Sequence, residues 1–106
     1  MAGRMSAKKV RESLVEQLRL RGADMAANLA LVDDYMHYYE MERQCRADIR
    51  KRGLSYRAIS STGKEFDKDN PAIKNELEFN KRKLAILKQL EIAPSTVAVG
   101  EEDDEL

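Results

Sequence analysis

Residues 25–53 read MAANLALVDDYMHYYEMERQCRADIRKRG, and after Met25 neither Gly nor Pro occurs until Gly53. As a helix this stretch spans about 42 Å at 1.5 Å per residue. That is long for a chain of 106 residues. It carries two apolar stripes at alternating steps of four and three: Met25, Leu29, Val32, Met36 and Tyr39 form one, and Leu31, Tyr35, Tyr38, Glu42, Cys45 and Ile49 the other. Each stripe needs a neighbour to cover it. Another helix of the same chain can supply one, and the second is expected from another copy, as at the seams of bundles and coiled coils.

Upstream, residues 6–21 place Val10, Leu14, Val15 and Leu18 at helical spacing, and Gly22 follows as a C-terminal cap. Asp24 is then placed to cap the long helix. Downstream of Gly53 the periodicity changes to Leu54, Tyr56 and Ala58 or Ile59. Ser60, Ser61, Thr62, Gly63 and Lys64 follow, and the segment reads as a short extended excursion, a small hairpin turning at Thr62 and Gly63. Asp69 or Asn70 caps the next helix, whose first position is Pro71, a residue with a preset φ that lacks only an N–H left unpaired there in any case. Ile73, Leu77, Leu84 and Leu87, joined by Phe79, Ile86 and Leu90, run down this helix until Pro94. The expected fold is all-α, with a short N-terminal helix and a long antiparallel helical hairpin that oligomerises through its helices. The divisions are a basic arm and short helix over residues 1–22, a helical-hairpin oligomerisation domain over 23–94, and a disordered acidic tail over 95–106.

The length allows one domain, and a core this small is helped by self-association. Cys45 is the only cysteine, so no internal disulfide or zinc cluster can form, which fits a reducing cytoplasm. No apolar run approaches the roughly 18 residues a membrane span needs, and a soluble, untargeted protein is expected. Nineteen Lys+Arg balance nineteen Asp+Glu, yet residues 1–22 carry +4, residues 95–106 carry −5, and the middle +1. A basic head and an acidic tail suggest different partners or one intramolecular contact.

Catalytic chemistry has little to work with. His37 and Cys45 lie on one helix with no further His or Cys to complete a metal site or a nucleophile–base set, and both read as packing residues. Asp33 and Asp34 are adjacent and diverge around the helix, so they read as solvated groups rather than a carboxylate dyad. Ser61-Thr62-Gly63-Lys64 lacks both the earlier Gly and the following Ser or Thr of a phosphate-binding loop. No cofactor is expected. Basic clusters are the stronger signal: Arg43, Arg46, Arg50, Lys51 and Arg52 load the end of the long helix, and Lys81, Arg82 and Lys83 load the facing one. Helix-terminal cations on a solvated face account for such clusters in a monomer, whereas a ring of copies multiplies them into a belt able to bind nucleic acid.

Residues 48–95, DIRKRGLSYRAISSTGKEFDKDNPAIKNELEFNKRKLAILKQLEIAPS, carry these features in a particular order: a basic helix end and Gly at Arg50 to Gly53, an extended segment with a Ser/Thr-Gly turn from Tyr56 to Gly63, Asn-Pro-Ala at Asn70 to Ala72, a Leu-rich helix end, and Pro94-Ser95. This order, with GADMAANLALVDDY at residues 22–35, resembles the phage terminase small subunits of the P27 family. One departure is Glu91 before Ile92, where that family commonly has Gly, so the end of the second long helix is expected to differ. The resemblance implies a non-catalytic subunit of tailed-phage or prophage genome packaging in the host cell cytoplasm. It implies a homo-oligomeric ring, viral double-stranded DNA and the large terminase subunit with its ATPase and nuclease as partners, and no membrane. Read with the residues, it nominates Arg4, Lys8, Lys9 and Arg11 first for DNA, then Arg43, Arg50, Lys51 and Arg52; Leu29, Val32, Met36, Tyr39, Leu77, Leu84 and Leu87 are nominated for the oligomer interface. The acidic tail is placed to cover the basic surface, to touch the large subunit, or to serve solubility alone. A small helical transcriptional regulator and a helical adaptor that never meets DNA remain open alternatives.

Overall fold

The computed structural model describes the backbone of residues 2–97 and the side chains of residues 7–97. Its elements are α1 (Ala2–Leu20), α2 (Ala26–Arg52), β1 (Ser55–Ile59), β2 (Glu65–Asp69) and α3 (Pro71–Leu90), closed by a 3-10 turn at Pro94–Thr96. The protein is therefore mostly helical with a small two-stranded antiparallel sheet, not strictly all-α. The backbone is already helical at Ala2, so the stretch expected as a basic arm ahead of the short helix continues that helix.

Capping chemistry sets the helix ends. Gly22 takes φ +68°, and the bonds from Ala23 N to Leu18 O (2.7 Å) and from Gly22 N to Arg19 O (3.0 Å) close α1 in a Schellman motif. The expected Asp24 cap is not used. Met25 occupies the N-cap without a side-chain bond, while the Asn28 amide, just inside the helix, donates back to Ala23 O at 2.9 Å. At α3 the Asn70 side chain accepts from Ala72 N and donates to Gly53 O, both at 2.9 Å, and its own N–H bonds Leu54 O. Asn70 is 2% exposed and joins the end of α2, the hairpin base and the start of α3.

Glu91 ends α3 in a left-handed conformation although it is not a glycine. It adopts φ +59°, ψ +45°, and bonds from Ile92 N to Leu87 O and from Glu91 N to Lys88 O end α3 by the same Schellman pattern that ends α1. A left-handed non-glycine residue costs about 1–2 kcal/mol. We expect Glu91→Gly to raise the unfolding free energy by about 1 kcal/mol, measured by urea titration, because the Arg21 guanidinium that caps the last turn bonds only the Leu90 and Glu91 carbonyl oxygens.

The core joins one flank of each helix. Val10, Leu14 and Leu18 of α1 meet Val32, Tyr35 and Tyr39 of α2 and Ile86, Leu87 and Leu90 of α3, with Ile92 below them. The buried row on α2 takes Val32 and Tyr39 from one sequence stripe and Tyr35 and Glu42 from the other, because α1 and α3 pack on either side of a line between them. Over the part of α2 that α1 covers, both neighbours of the long helix thus come from its own chain, where the second was expected from another copy. Tyr35 lies among these residues, and burial, aided by the charge of Glu42, pushes its hydroxyl above the usual tyrosine range.

Only half of the helical hairpin is covered by α1. The remainder of α2 runs against α3 alone, giving a rod of 59 × 26 × 19 Å with a radius of gyration of 17.1 Å. A compact chain of this length measures about 13 Å. Where the apolar core ends, a charged one begins. Glu42, 3% exposed, receives Lys83 Nζ at 2.6 Å and Arg46 Nη2 at 3.3 Å, and Arg46 Nε reaches Glu76 at 2.8 Å. Lys83 also lies 5.3 Å from the Tyr39 ring centre and 5.5 Å from that of Tyr35. Two acids and two bases balance one another between α2 and α3.

Beyond that network β1 and β2 pair with Ser55 opposite Asp69 and Ile59 opposite Glu65. Ser60 N–H bonds Lys64 O, Gly63 N–H bonds Ser60 O, and Gly63 takes φ +86°, so a three-residue loop turns the hairpin where the sequence placed the turn. The hairpin begins at Gly53, whose φ +85° and ψ −176° lie in a region reserved for glycine. A Cβ there makes only ordinary van der Waals contact, with Ser55 O at 3.7 Å, so backbone conformation sets the penalty. Gly53→Ala is expected to cost about 1–3 kcal/mol, read as a lowered midpoint in thermal unfolding.

Candidate nucleic-acid interface and assembly faces

The six basic residues of the head do not act as one group. Arg11 bonds Asp33 across to α2 at 3.1 Å, Arg19 pairs with Glu16, and Arg21 caps α3. Lys8 and Lys9 are exposed and carry no ion pair among the described residues; the Arg4 side chain lies outside them. The Arg11–Asp33 pair marks the register of α1 on α2, which the packed core holds, so Lys8 and Lys9 stand about level with residue 36. Arg50, Lys51 and Arg52 lie about 20–25 Å further along the rod at 1.5 Å per residue. The two nominated clusters are therefore separate in one chain.

At that far end the cations differ among themselves. Arg50 and Lys51 are exposed, and Arg52 pairs with Asp48 at 3.0 Å while its guanidinium lies 4.1 Å above the Tyr56 ring. Arg43 is partly buried, 3.8 Å from Glu40 and 5.9 Å from the Tyr39 ring. The expected cluster Lys81, Arg82 and Lys83 is divided by the fold. Lys81 faces solvent, Arg82 pairs with Glu78 at 3.4 Å, and Lys83 is internal with Glu42. Glu42 within an apolar stripe was the sequence signal for that internal pair.

The nominated interface residues fall into two sets. Val32, Tyr39 and Leu87 are buried in the chain's own core, and Leu29 and Met36 are half-buried. Leu77 and Leu84 stand 68% and 46% exposed, one heptad apart on α3. Leu54 and Ile73 line one cleft with Leu77 at the hairpin base, extending this apolar strip. Lys74, Lys81 and Lys88, again a heptad apart, run beside it, a row whose spacing is visible in the sequence. A further apolar pair, Leu20 and Met25, is exposed at the α1–α2 turn.

Cys45 is pushed above the usual thiol range by partial burial and by Glu76, Asp48 and Glu42, the opposite of what a nucleophilic thiol needs. Among the described residues no group of His, Cys, Asp and Glu is arranged to hold a metal ion, and no helix is long and apolar enough to cross a membrane.

Exposed cations and an uncovered apolar strip stand at separate places on a helical rod. A model of the phage terminase small subunit matches residues 7–103, and the chain belongs to that family. Such subunits are generally non-catalytic and serve phage DNA packaging, with DNA and a large subunit as their general partners. No curated protein matches the chain, and no solved structure does.

Proposed function

We propose that this chain is a P27-type small subunit of a tailed-phage or prophage terminase. It assembles into a homo-oligomeric ring, engages viral double-stranded DNA at the start of packaging in the host cytoplasm, and presents it to the large subunit that holds the ATPase and nuclease. The family match over residues 7–103 carries the reading. The apolar strip of Leu77 and Leu84, uncovered in a single chain, supports assembly. In this reading Leu77 and Leu84 make the contact between copies, aided by the uncovered parts of Leu29 and Met36. Val32, Tyr39 and Leu87 keep the protomer rigid behind them.

DNA contact is assigned first to α1, through Arg4, Lys8, Lys9 and Arg11, and second to Arg43, Arg50, Lys51 and Arg52. Phosphate contacts of this kind position a protein on DNA without reading its sequence. Assembly compensates for the separation of the two clusters, since a ring repeats each of them around its circumference. Lys8→Ala with Lys9→Ala is expected to weaken binding to any duplex alike and to flatten the log–log salt dependence by about 0.9 unit for each phosphate that the variant no longer neutralises. An unchanged slope removes α1 from the interface.

Native mass measured over a range of protein concentration tests the reading as a whole. A discrete species larger than a tetramer is expected. A monomer or dimer at every concentration, combined with tight preference for one DNA sequence, identifies a transcriptional regulator instead. Indifference to DNA at low salt identifies an adaptor.

A further inference from the structure

The chain does not leave the protein at Pro94. Gln17 Nε2 on α1 donates to Thr96 O at 3.0 Å, the Thr96 hydroxyl reaches Gln17 Oε1 at 3.2 Å, and Val97 packs against the core. Residues 95–97, assigned to the tail from sequence, are thus seated on α1; the rest of the tail lies outside the described residues. Gln17, Ser13 and Lys9 follow one another at steps of four, so they form one row along the flank of α1. Lys9 is about 12 Å from Gln17 along the helix axis. An extended chain advances about 3.3 Å per residue, so four residues beyond Thr96 cover that distance and bring Glu101, Glu102, Asp103, Asp104 and Glu105 level with Lys9 and Lys8.

Reach also selects among the basic clusters. Gln17 stands about level with residue 27 of α2, which leaves Arg50 about 35 Å away along the rod. Residues 97–105, fully extended, span about 30 Å. Arg50, Lys51 and Arg52 are out of range and the nearer Arg43 is partly buried beside Glu40, whereas Lys8 and Lys9 are in range, exposed, and without an ion pair among the described residues. Glu12, one turn along, offsets the two lysines in part and leaves them a net positive charge.

We propose that the acidic segment 101–105 docks on Lys8 and Lys9 of its own chain, standing in for phosphate, so that DNA must displace it to occupy α1. Docking follows from the anchored chain, its reach and the opposite charges; the competition with DNA rests on the reading of α1 as a DNA surface.

Zero-length carbodiimide cross-linking of the full chain, at low salt and without DNA, tests the docking. Links joining Lys8 or Lys9 to residues 101–105 are expected, abolished at high salt, and confined to peptides of one isotopic label when labelled and unlabelled proteins are mixed. The absence of such links, links from the tail to Lys51, Lys81 or Lys88 alone, or links between differently labelled copies overturns the proposal. Changing Glu101, Glu102 and Glu105 to Gln and Asp103 and Asp104 to Asn is expected to tighten duplex DNA binding at low salt by about three- to tenfold, the factor by which a largely closed state lowers apparent affinity. That gain is expected to vanish when Lys8 and Lys9 are Ala. An equal gain in both backgrounds shows a general charge effect and overturns the competition. Links that form while the neutralised tail leaves DNA affinity unchanged uphold the docking and refute the DNA role of α1.

Discussion

Glu42→Ala lowers the unfolding free energy by about 3–5 kcal/mol, the usual consequence of removing one partner from a buried ion pair. Lys83, whose side chain is 13% exposed, then remains against Tyr35 and Tyr39 without its carboxylate, while Arg46 keeps its bond to Glu76. At about 4–8 °C per kcal/mol for a domain near this size, the melting temperature falls by well over 10 °C. The double variant Glu42→Leu, Lys83→Met separates loss of the pair from loss of packing. Well-packed apolar residues in place of a buried pair are neutral or stabilising by about 1–4 kcal/mol, so its midpoint should return to the wild-type value or exceed it. A Glu42→Ala protein that melts within a few degrees of wild type means that water reaches Lys83 and the network adds little to stability. Burial without a partner, not the loss of one hydrogen bond, is what makes the expected effect large.

If copies assemble as proposed, Leu77→Asp with Leu84→Asp should reduce the assembly to protomers while leaving the protomer folded. Burying a leucine fully is worth about 1.5–3 kcal/mol, and these two still expose 68% and 46% of their surface, so together they offer about 2–3 kcal/mol at each contact. That is about 30- to 150-fold in the association constant per contact, before adding the penalty for burying two carboxylates. Closing a ring multiplies the loss, because every contact repeats it. Native mass and thermal unfolding of the same sample distinguish the outcomes. A fall in mass with an unshifted protomer midpoint locates the seam on α3. An unchanged multi-copy mass places it elsewhere, with the exposed Leu20 and Met25 as the next surface to alter.

The parts of this fold legible in the residues are those decided by local chemistry. Gly22, Gly53, Gly63 and the Asn70–Pro71 pair each impose a backbone conformation or a cap that needs no distant partner, and α1, the hairpin and α3 begin or end at them. Glu91 shows where that reasoning fails. A glutamate does not announce a left-handed turn, and it adopts one here because Ile92 is pulled into the core, 4% exposed, while Arg21 holds the carbonyl groups beside it. Asp24 fails in the opposite sense: a good capping residue stands where the Schellman turn of α1 starts the next helix one residue later.

Periodicity and composition established that α2 is long, that it carries apolar side chains over a wide arc, and that a single His and a single Cys leave catalysis little to work with. Which residues on that arc are buried depended on where α1 and α3 came to rest, since helix faces are interchangeable until neighbours occupy them. The structure set α1 and α3 against α2, drew Lys83 inward to Glu42, and left Leu77 and Leu84 outside. The cations were countable in the sequence, and the Arg19–Glu16 pair is local to α1, but only tertiary contact divided Lys8 and Lys9 from Arg11 and Arg21, which are tied to Asp33 and the end of α3. A charge is available to a ligand only when the fold has not already given it a partner, and pairing between residues far apart in sequence is set by packing.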